Sequence, residues 1–118
     1  NELSLICDSA DINVWELIKL ANRHPRVNIL QPGVGVGGHC IAVDPWFLIS
    51  EYPEESKIMR CAREQNHNKT EWVINKIIAE AKKFEEMHGK TPGIGCFGLT
   101  YKPDIDDLRE SPALEIVK

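Results

Sequence analysis

The sequence has no apolar run near the ~20 residues needed to cross a bilayer. It also has no charged-then-apolar leader and no excess of positive charge, since 14 Lys and Arg stand against 18 Asp and Glu for a net charge of −4. These absences leave no spanning helix, and they argue against nucleic acid or an anionic membrane surface as the main partner. A soluble, cytoplasmic protein is expected. Cysteine is sparse and unpaired in pattern: Cys7, Cys40, Cys61 and Cys96 lie 33, 21 and 35 residues apart, too far for a CxxC clip or a zinc knuckle. With no sign of export, four free thiols are expected. No metal site is expected either, because His39 beside Cys40 has no further ligands spaced to complete a tetrahedron. The 118 residues, 42% hydrophobic and 27% charged, suffice for one modest domain, or one and a piece of another.

The hydrophobic spacing is mainly helical. Asn1 to Cys7 is helical in pattern but has no Met, leader or cap, as expected of a longer protein cut within a helix. Asp11 reads as the N-cap of a second helix, with Val14, Trp15, Leu17, Ile18 and Ala21 on one stripe and an end near Asn22, before Pro25. Val27 to Leu30 reads as a short extended piece. Pro53 fits the first position of a long helix that carries Glu54 and Glu55 at its positive end, runs to about Glu86 and stops at Gly89. Its apolar residues Ile58, Met59, Ala62, Trp72, Val73, Ile77, Ile78 and Ala81 are separated by a polar middle, Arg63 to Lys69, and so long a helix suits a spine or dimer contact. Ile94 to Thr100 reads as a buried strand, and Ser111-Pro112 as the cap and first residue of another helix. The expected fold class is mainly α: a helical domain over residues 1–90 with a long spine helix, then a β-loop-α stub of an α/β domain over residues 91–118.

Two segments carry the chemistry. Gly33, Gly35 and Gly38 satisfy GxGxxG, but Pro32 precedes the loop, Pro45 interrupts the segment after it and no βαβ unit surrounds it, so it is not read as a dinucleotide fingerprint. The glycines allow a close backbone approach and leave amides free as donors, which suits an anionic or sugar-like ligand. A thiol at such a place, Cys40, has its thiolate stabilised, and an oxyanion formed on its substrate would meet the same donors. If residues 39–44 are helical, Asp44 shares a face with Cys40 and can position a water or base near the sulfur. An inert, buried cysteine is the competing reading at Cys40, and core packing is the default for Cys7, Cys61 and Cys96. His24 and Arg26 flank Pro25 as a cationic pair that either binds phosphate or caps a helix, with capping ahead. The second segment, Tyr101 to Ser111, holds the phosphate-capable Lys102 and Arg109 among three aspartates, or is a charge-balanced loop.

Together, Gly35-Val36-Gly37-Gly38-His39-Cys40 and Gly98-Leu99-Thr100-Tyr101-Lys102-Pro103-Asp104, followed by Asp106-Asp107-Leu108-Arg109-Glu110-Ser111-Pro112, resemble the UDP-glucose/GDP-mannose dehydrogenase family. The resemblance implies an NAD-binding Rossmann domain, a helical central dimerisation domain and a UDP-binding α/β domain, with this chain similar to the central piece and the start of the last. It implies oxidation of a primary alcohol at C6 of a nucleotide sugar to a carboxylate, a four-electron change that consumes two NAD. Cys40 matches the nucleophile that captures the C6 aldehyde as a thiohemiacetal and then a thioester, and Asp44 the carboxylate that assists thioester hydrolysis. His24 and Arg26 match a substrate-contacting segment that reaches the neighbouring subunit's site. Gly35 lies in the loop that touches the sugar nucleotide, Tyr101 and Lys102 match substrate positions, and Arg109 matches a position that reaches NAD. The implied partners are a UDP-N-acetylhexosamine and a second copy, in a homodimer formed through the helices.

Pro32 to Phe47 and Ala62-Arg63-Glu64 look most like the branch that acts at C6 of UDP-N-acetyl-D-mannosamine, with the UDP-N-acetylglucosamine branch next. Val43 stands where the UDP-glucose branch has a lysine, and His39 where it has a small residue; both depart from that branch. The family's catalytic lysine, its substrate-binding asparagine and its NAD fingerprint have no counterpart in these residues, so the piece alone is expected to be inactive. The reading from a different class is a non-catalytic helical dimerisation module with a structural Cys40.

Overall fold

In the computed structural model, which describes residues 1–118, the opening helical spacing becomes α1 (Glu2–Ser9), where Ser4 is buried with its hydroxyl donating to the Asn1 carbonyl at 2.5 Å. The next helix, α2 (Val14–Ala21), begins later than an Asp11 cap would set it. Asn13 is the cap, its Oδ1 accepting from the amides of Trp15 and Glu16 at 3.0 and 3.3 Å. Asp11 instead takes the left-handed conformation, φ 54°, in the turn where the Ile12 amide donates back to the Cys7 carbonyl at 2.9 Å. A short polar side chain tolerates that region better than most L-residues do. The helix ends where its pattern does, with Asn22 as C-cap. The Asn22 amide then takes both backbone groups of Ile29, at 2.7 and 3.0 Å, so the extended Val27–Leu30 stretch is held by a side chain and not by a ladder. Cys7 and Ile18, each 1% exposed, are the buried apolar centre of this N-terminal unit, Asn1–Gly33.

The second unit, Val34–Lys118, holds α3 (Asp44–Glu51), α4 (Lys57–His88) and α5 (Pro112–Ile116), with α4 packed against both of the others. Pro53 does not open α4, contrary to the sequence expectation. Pro53 to Glu55 form a turn after α3, closed by the Ser56 amide and hydroxyl, which both donate to the Tyr52 carbonyl at 3.1 and 2.6 Å. Ser56 is thereby buried as the N-cap residue, and the helix starts at Lys57. At 1.5 Å per residue the 32 residues of α4 span roughly 48 Å. Its stop is the expected one: Gly89 sits at φ 63° and its amide donates to the Glu85 carbonyl at 2.8 Å.

The burial along α4 does not follow its apolar residues. Its buried residues are Lys69 and Thr70, from the end of the polar middle and just beyond it, whereas Ile58 is 86% exposed and Met59 and Ile78 are exposed as well. The Lys69 ammonium lies 3.9 Å from the Trp72 ring centre, so its stem is buried while its charge meets a π-face. Ile94 to Thr100, expected as a buried strand, has no ladder partner and remains irregular, with Phe97 fully exposed. A strand exists only through a neighbour that takes its backbone groups. Ser111 and Pro112 do open a helix, Ser111 Oγ accepting from the Leu114 amide at 3.4 Å. The fold is thus mainly helical around one long helix, with 52% helix and no strand, and no helix is long and apolar enough to cross a membrane.

Nothing lies within 4 Å of the Cβ that Gly89 would carry, so a side chain there meets only the conformational penalty of left-handed backbone. Gly89→Ala is expected to lower stability by about 1 kcal/mol, and Gly89→Asn by less, in urea unfolding followed by helical circular dichroism.

Candidate active site

The glycine segment from Val34 onward is fixed by α4. Asn66 uses its whole amide on one residue: Oδ1 accepts from the Val36 amide at 2.7 Å and Nδ2 donates to the Val36 carbonyl at 3.2 Å. One turn further along, Thr70 Oγ1 donates to the Val34 carbonyl at 2.8 Å. Between these bonds Gly35, at φ 148°, presses so closely on Thr70 and Pro112 that a Cβ would come within 2.7 and 2.8 Å of their side chains. A Cβ on Gly37 would overlap the Glu110 carbonyl oxygen, and one on Gly38, at φ 94°, would meet the Tyr101 ring. The close approach expected of these glycines is therefore an approach to the chain itself. The donors are partly spent too, because the amide of Val36 goes to Asn66 and that of Gly38 to the Arg109 carbonyl at 3.1 Å.

This packing joins the two chemical segments. The Tyr101–Ser111 loop is closed at its base by Ser111 Oγ, which donates to the Leu99 carbonyl at 2.6 Å, and by the Tyr101 amide, which donates to the Asp107 carbonyl at 3.3 Å. Within it Asp107 grips Arg109: Nε lies 3.0 Å from both carboxylate oxygens and Nη2 2.6 Å from Oδ2. The Arg109 backbone amide adds a bond at 2.9 Å. These bonds hold the Asp107 carboxyl down to about 2, and they push the Arg109 guanidinium above its ordinary range, with smaller support from the charges of Tyr101 and Cys40. His39 Nδ1 stands 3.9 Å from Asp107 on the other side. Lys102 is not held by the aspartates; its ammonium lies 5.7 Å from the Tyr101 ring centre, and the residue lines a separate apolar groove with Ile94, Phe97 and Val117.

Beyond the glycines the chain makes a single turn. The Cys40 carbonyl accepts from the amides of Val43 and Asp44 at 3.0 and 2.8 Å, and Asp44 opens α3 with Pro45 behind it. Residues 39–43 are not helical, the condition on which a shared face was expected, but Cys40 and Asp44 line the same open cleft of about 660 Å³, with Val36, Ile41, Arg63 and Asn66 among its walls. The Cys40 thiol is exposed. All four thiols are free, but Cys61 and Cys96 are exposed where core packing was expected; only Cys7 is buried. His24 and Arg26 belong to the N-terminal unit, where His24 Nδ1 accepts from the Arg26 amide at 3.2 Å in the turn around Pro25. Sequence reading missed Asn66 and Thr70 as the holders of the loop, and Arg63 as a wall of the cleft. The helical spacing of 63, 66 and 70 was the available signal.

A model of the UDP-glucose/GDP-mannose dehydrogenase family, central domain, matches residues 1–68, and one of that family's UDP binding domain matches residues 95–118. The chain belongs to the UDP-glucose/GDP-mannose dehydrogenase family. Among relatives in this family, a UDP-N-acetyl-D-mannosamine dehydrogenase of Campylobacter jejuni is 67% identical over 99% of this chain. An NDP-N-acetyl-D-galactosaminuronic acid dehydrogenase of Ralstonia solanacearum is 59% identical over all of it. The chain spans 28% and 27% of their lengths. The solved UDP-D-ManNAc dehydrogenase of Pyrococcus horikoshii superposes on 98% of the chain with a TM-score of 0.79 at 39% identity, 28% of that structure being covered.

Two outcomes test this geometry. Asn66→Ala removes both bonds to Val36 and is expected to cost about 1–3 kcal/mol, read as faster hydrogen exchange at the Val36 amide with α4 still helical. For Asp107 the folded value of about 2 lies below the ordinary 3.8, so its bond to Arg109 contributes fully above pH 3.8 and is lost as pH falls through about 2. Carboxyl carbon NMR is expected to give that low midpoint in the native protein, and Arg109→Ala to return it toward 3.8.

Proposed function

We propose that this chain is part of an NAD-dependent nucleotide-sugar dehydrogenase that oxidises C6 of UDP-N-acetyl-D-mannosamine to the uronate. The observation that carries the reading is the cleft in which an exposed thiol, Cys40, and a carboxylate, Asp44, stand one turn apart at the start of α3. The Cys40 thiolate adds to the C6 aldehyde left by the first oxidation, giving a thiohemiacetal, and the second oxidation leaves the carbon as a thioester on the same sulfur. Asp44 orients the water that hydrolyses it, releasing the carboxylate and returning the thiol, with one proton going to solvent. NAD, when bound, accepts the hydride in each oxidation.

The glycine loop is not the dinucleotide site in this reading. The glycine loop is packed against Thr70, Pro112 and Tyr101 and leads into a turn, not into a helix at its third glycine. Arg109, held by Asp107, is the residue assigned to NAD. His24, Arg26, Gly35, Tyr101 and Lys102 are the proposed contacts to the UDP-sugar. The domain division is residues 1–90 and 91–118, and a cytoplasmic homodimer forms through the helical part, for which the exposed Ile58, Met59 and Ile78 of α4 supply apolar surface. The piece by itself is inactive, since hydride transfer needs the cofactor held against the sugar carbon.

The full-length protein is expected to form two NADH per UDP-N-acetylmannosamine, and little with the gluco- and galacto-configured N-acetylhexosamines. Cys40→Ser is expected to lower this turnover on the order of a thousandfold or more. Wild-type turnover in that variant would sink the reading, and a preference for the galacto sugar would reassign the substrate.

A further inference from the structure

Arg63 lies on α4 one turn before Asn66 and lines the cleft that holds Cys40 and Asp44. It is the one cationic residue among the cleft walls. Its Nε is buried and meets no acceptor, and no carboxylate, Asp44 included, lies within ion-pair distance of the guanidinium. A buried donor without a partner is costly, and native proteins rarely leave one so unless water or a ligand fills the place. Much of the remaining wall is apolar, from Val36, Ile41, Leu48 and Met59. Poor solvation there strengthens the attraction between the guanidinium and an incoming anion, and the planar fork of the guanidinium matches a carboxylate in particular.

We propose that Arg63 binds the carboxylate formed at C6 of the sugar, beside the Cys40 sulfur. The alcohol that enters the reaction carries no charge at C6, so Arg63 contributes to the affinity of the uronate product and little to that of the substrate. Asp44, of opposite charge on the same wall, stays unpaired with Arg63 and available to the hydrolytic water. The identity of the anion rests on the reaction proposed above; the presence of an anion-binding cation at Cys40 does not.

The test uses the full-length protein and begins with a probe that needs neither NAD nor sugar. Cys40 is alkylated with iodoacetate, which is anionic, and with iodoacetamide, which is neutral, and the ratio of the two rates is read by mass spectrometry of the Cys40 peptide. Arg63→Gln is expected to lower that ratio by about fivefold or more, and Arg63→Lys, which keeps the charge and the fold where the glutamine variant fails, to retain most of it. An unchanged ratio in Arg63→Gln overturns the proposal, even if two NADH still form per sugar. A lowered ratio in a protein that oxidises no UDP-sugar upholds the anion site and removes the reaction assigned to it. In active protein, Arg63→Gln is expected to raise the inhibition constant of the uronate by a similar factor and to leave that of UDP unchanged. The reverse pattern would move Arg63 to the diphosphate and overturn the assignment to C6.

Discussion

A single asparagine on a long helix holds the backbone on which the candidate chemistry depends. A segment with glycines at 33, 35, 37 and 38 has more conformational freedom to lose than any other part of the chain, and nothing in its own side chains restrains it. Asn66 supplies the restraint by taking the donor and the acceptor of Val36 together, and Thr70 adds the carbonyl of Val34. Both sit on the same stripe of α4, so a rigid rod sets the path of the loop. The turn that begins at Cys40 inherits its position from that clamp, and α3 follows from the turn.

The glycines serve this arrangement through their missing side chains more than through free donors. Pro112, Tyr101 and the Glu110 carbonyl occupy the space that a Cβ would need. Close approach brings the Tyr101–Ser111 loop against the cysteine segment, and it explains why two motifs separated by some sixty residues act as one unit. One of that loop's two cations is already neutralised: Arg109 is committed to Asp107 by three side-chain bonds. Arg63, in the cleft of Cys40, is not. The two arginines flank the cysteine segment with opposite electrostatic consequences, one a positioned, charge-balanced fork and the other an unpaired cation.

Membership of the dehydrogenase family is consistent with where apolar surface lies uncovered. Ile58, Met59, Phe97 and Ile94 are exposed in a chain that spans little more than a quarter of the relatives it matches. Two departures from sequence expectation lie in such exposed parts: Ile94–Thr100 has strand composition but no ladder, and Cys61 and Cys96 have core-like neighbours in sequence but are exposed.

Much of the local structure was written in short-range signals. Asn22 and Gly89 end helices, Ser111-Pro112 begins one, and the four-residue step from Cys40 to Asp44 became a turn, because caps, stops and turns depend on residues within a few positions of one another. At Asp11 and Pro53 the local signal misplaced the helix start; the structure caps the helices at Asn13 and Ser56 instead, with hydrogen bonds back to Cys7 and Tyr52 shaping the turns before them. By itself, then, the sequence determined a mainly helical chain, its long spine and its family. The tertiary structure alone decided that the polar middle of the spine would include the clamp on the glycine loop, that the glycines would pack against Tyr101 and Pro112, and that Arg63 would face Cys40's cleft. Those pairings join residues more than twenty positions apart, and a periodic pattern holds no information about which distant backbone group will be left needing a partner.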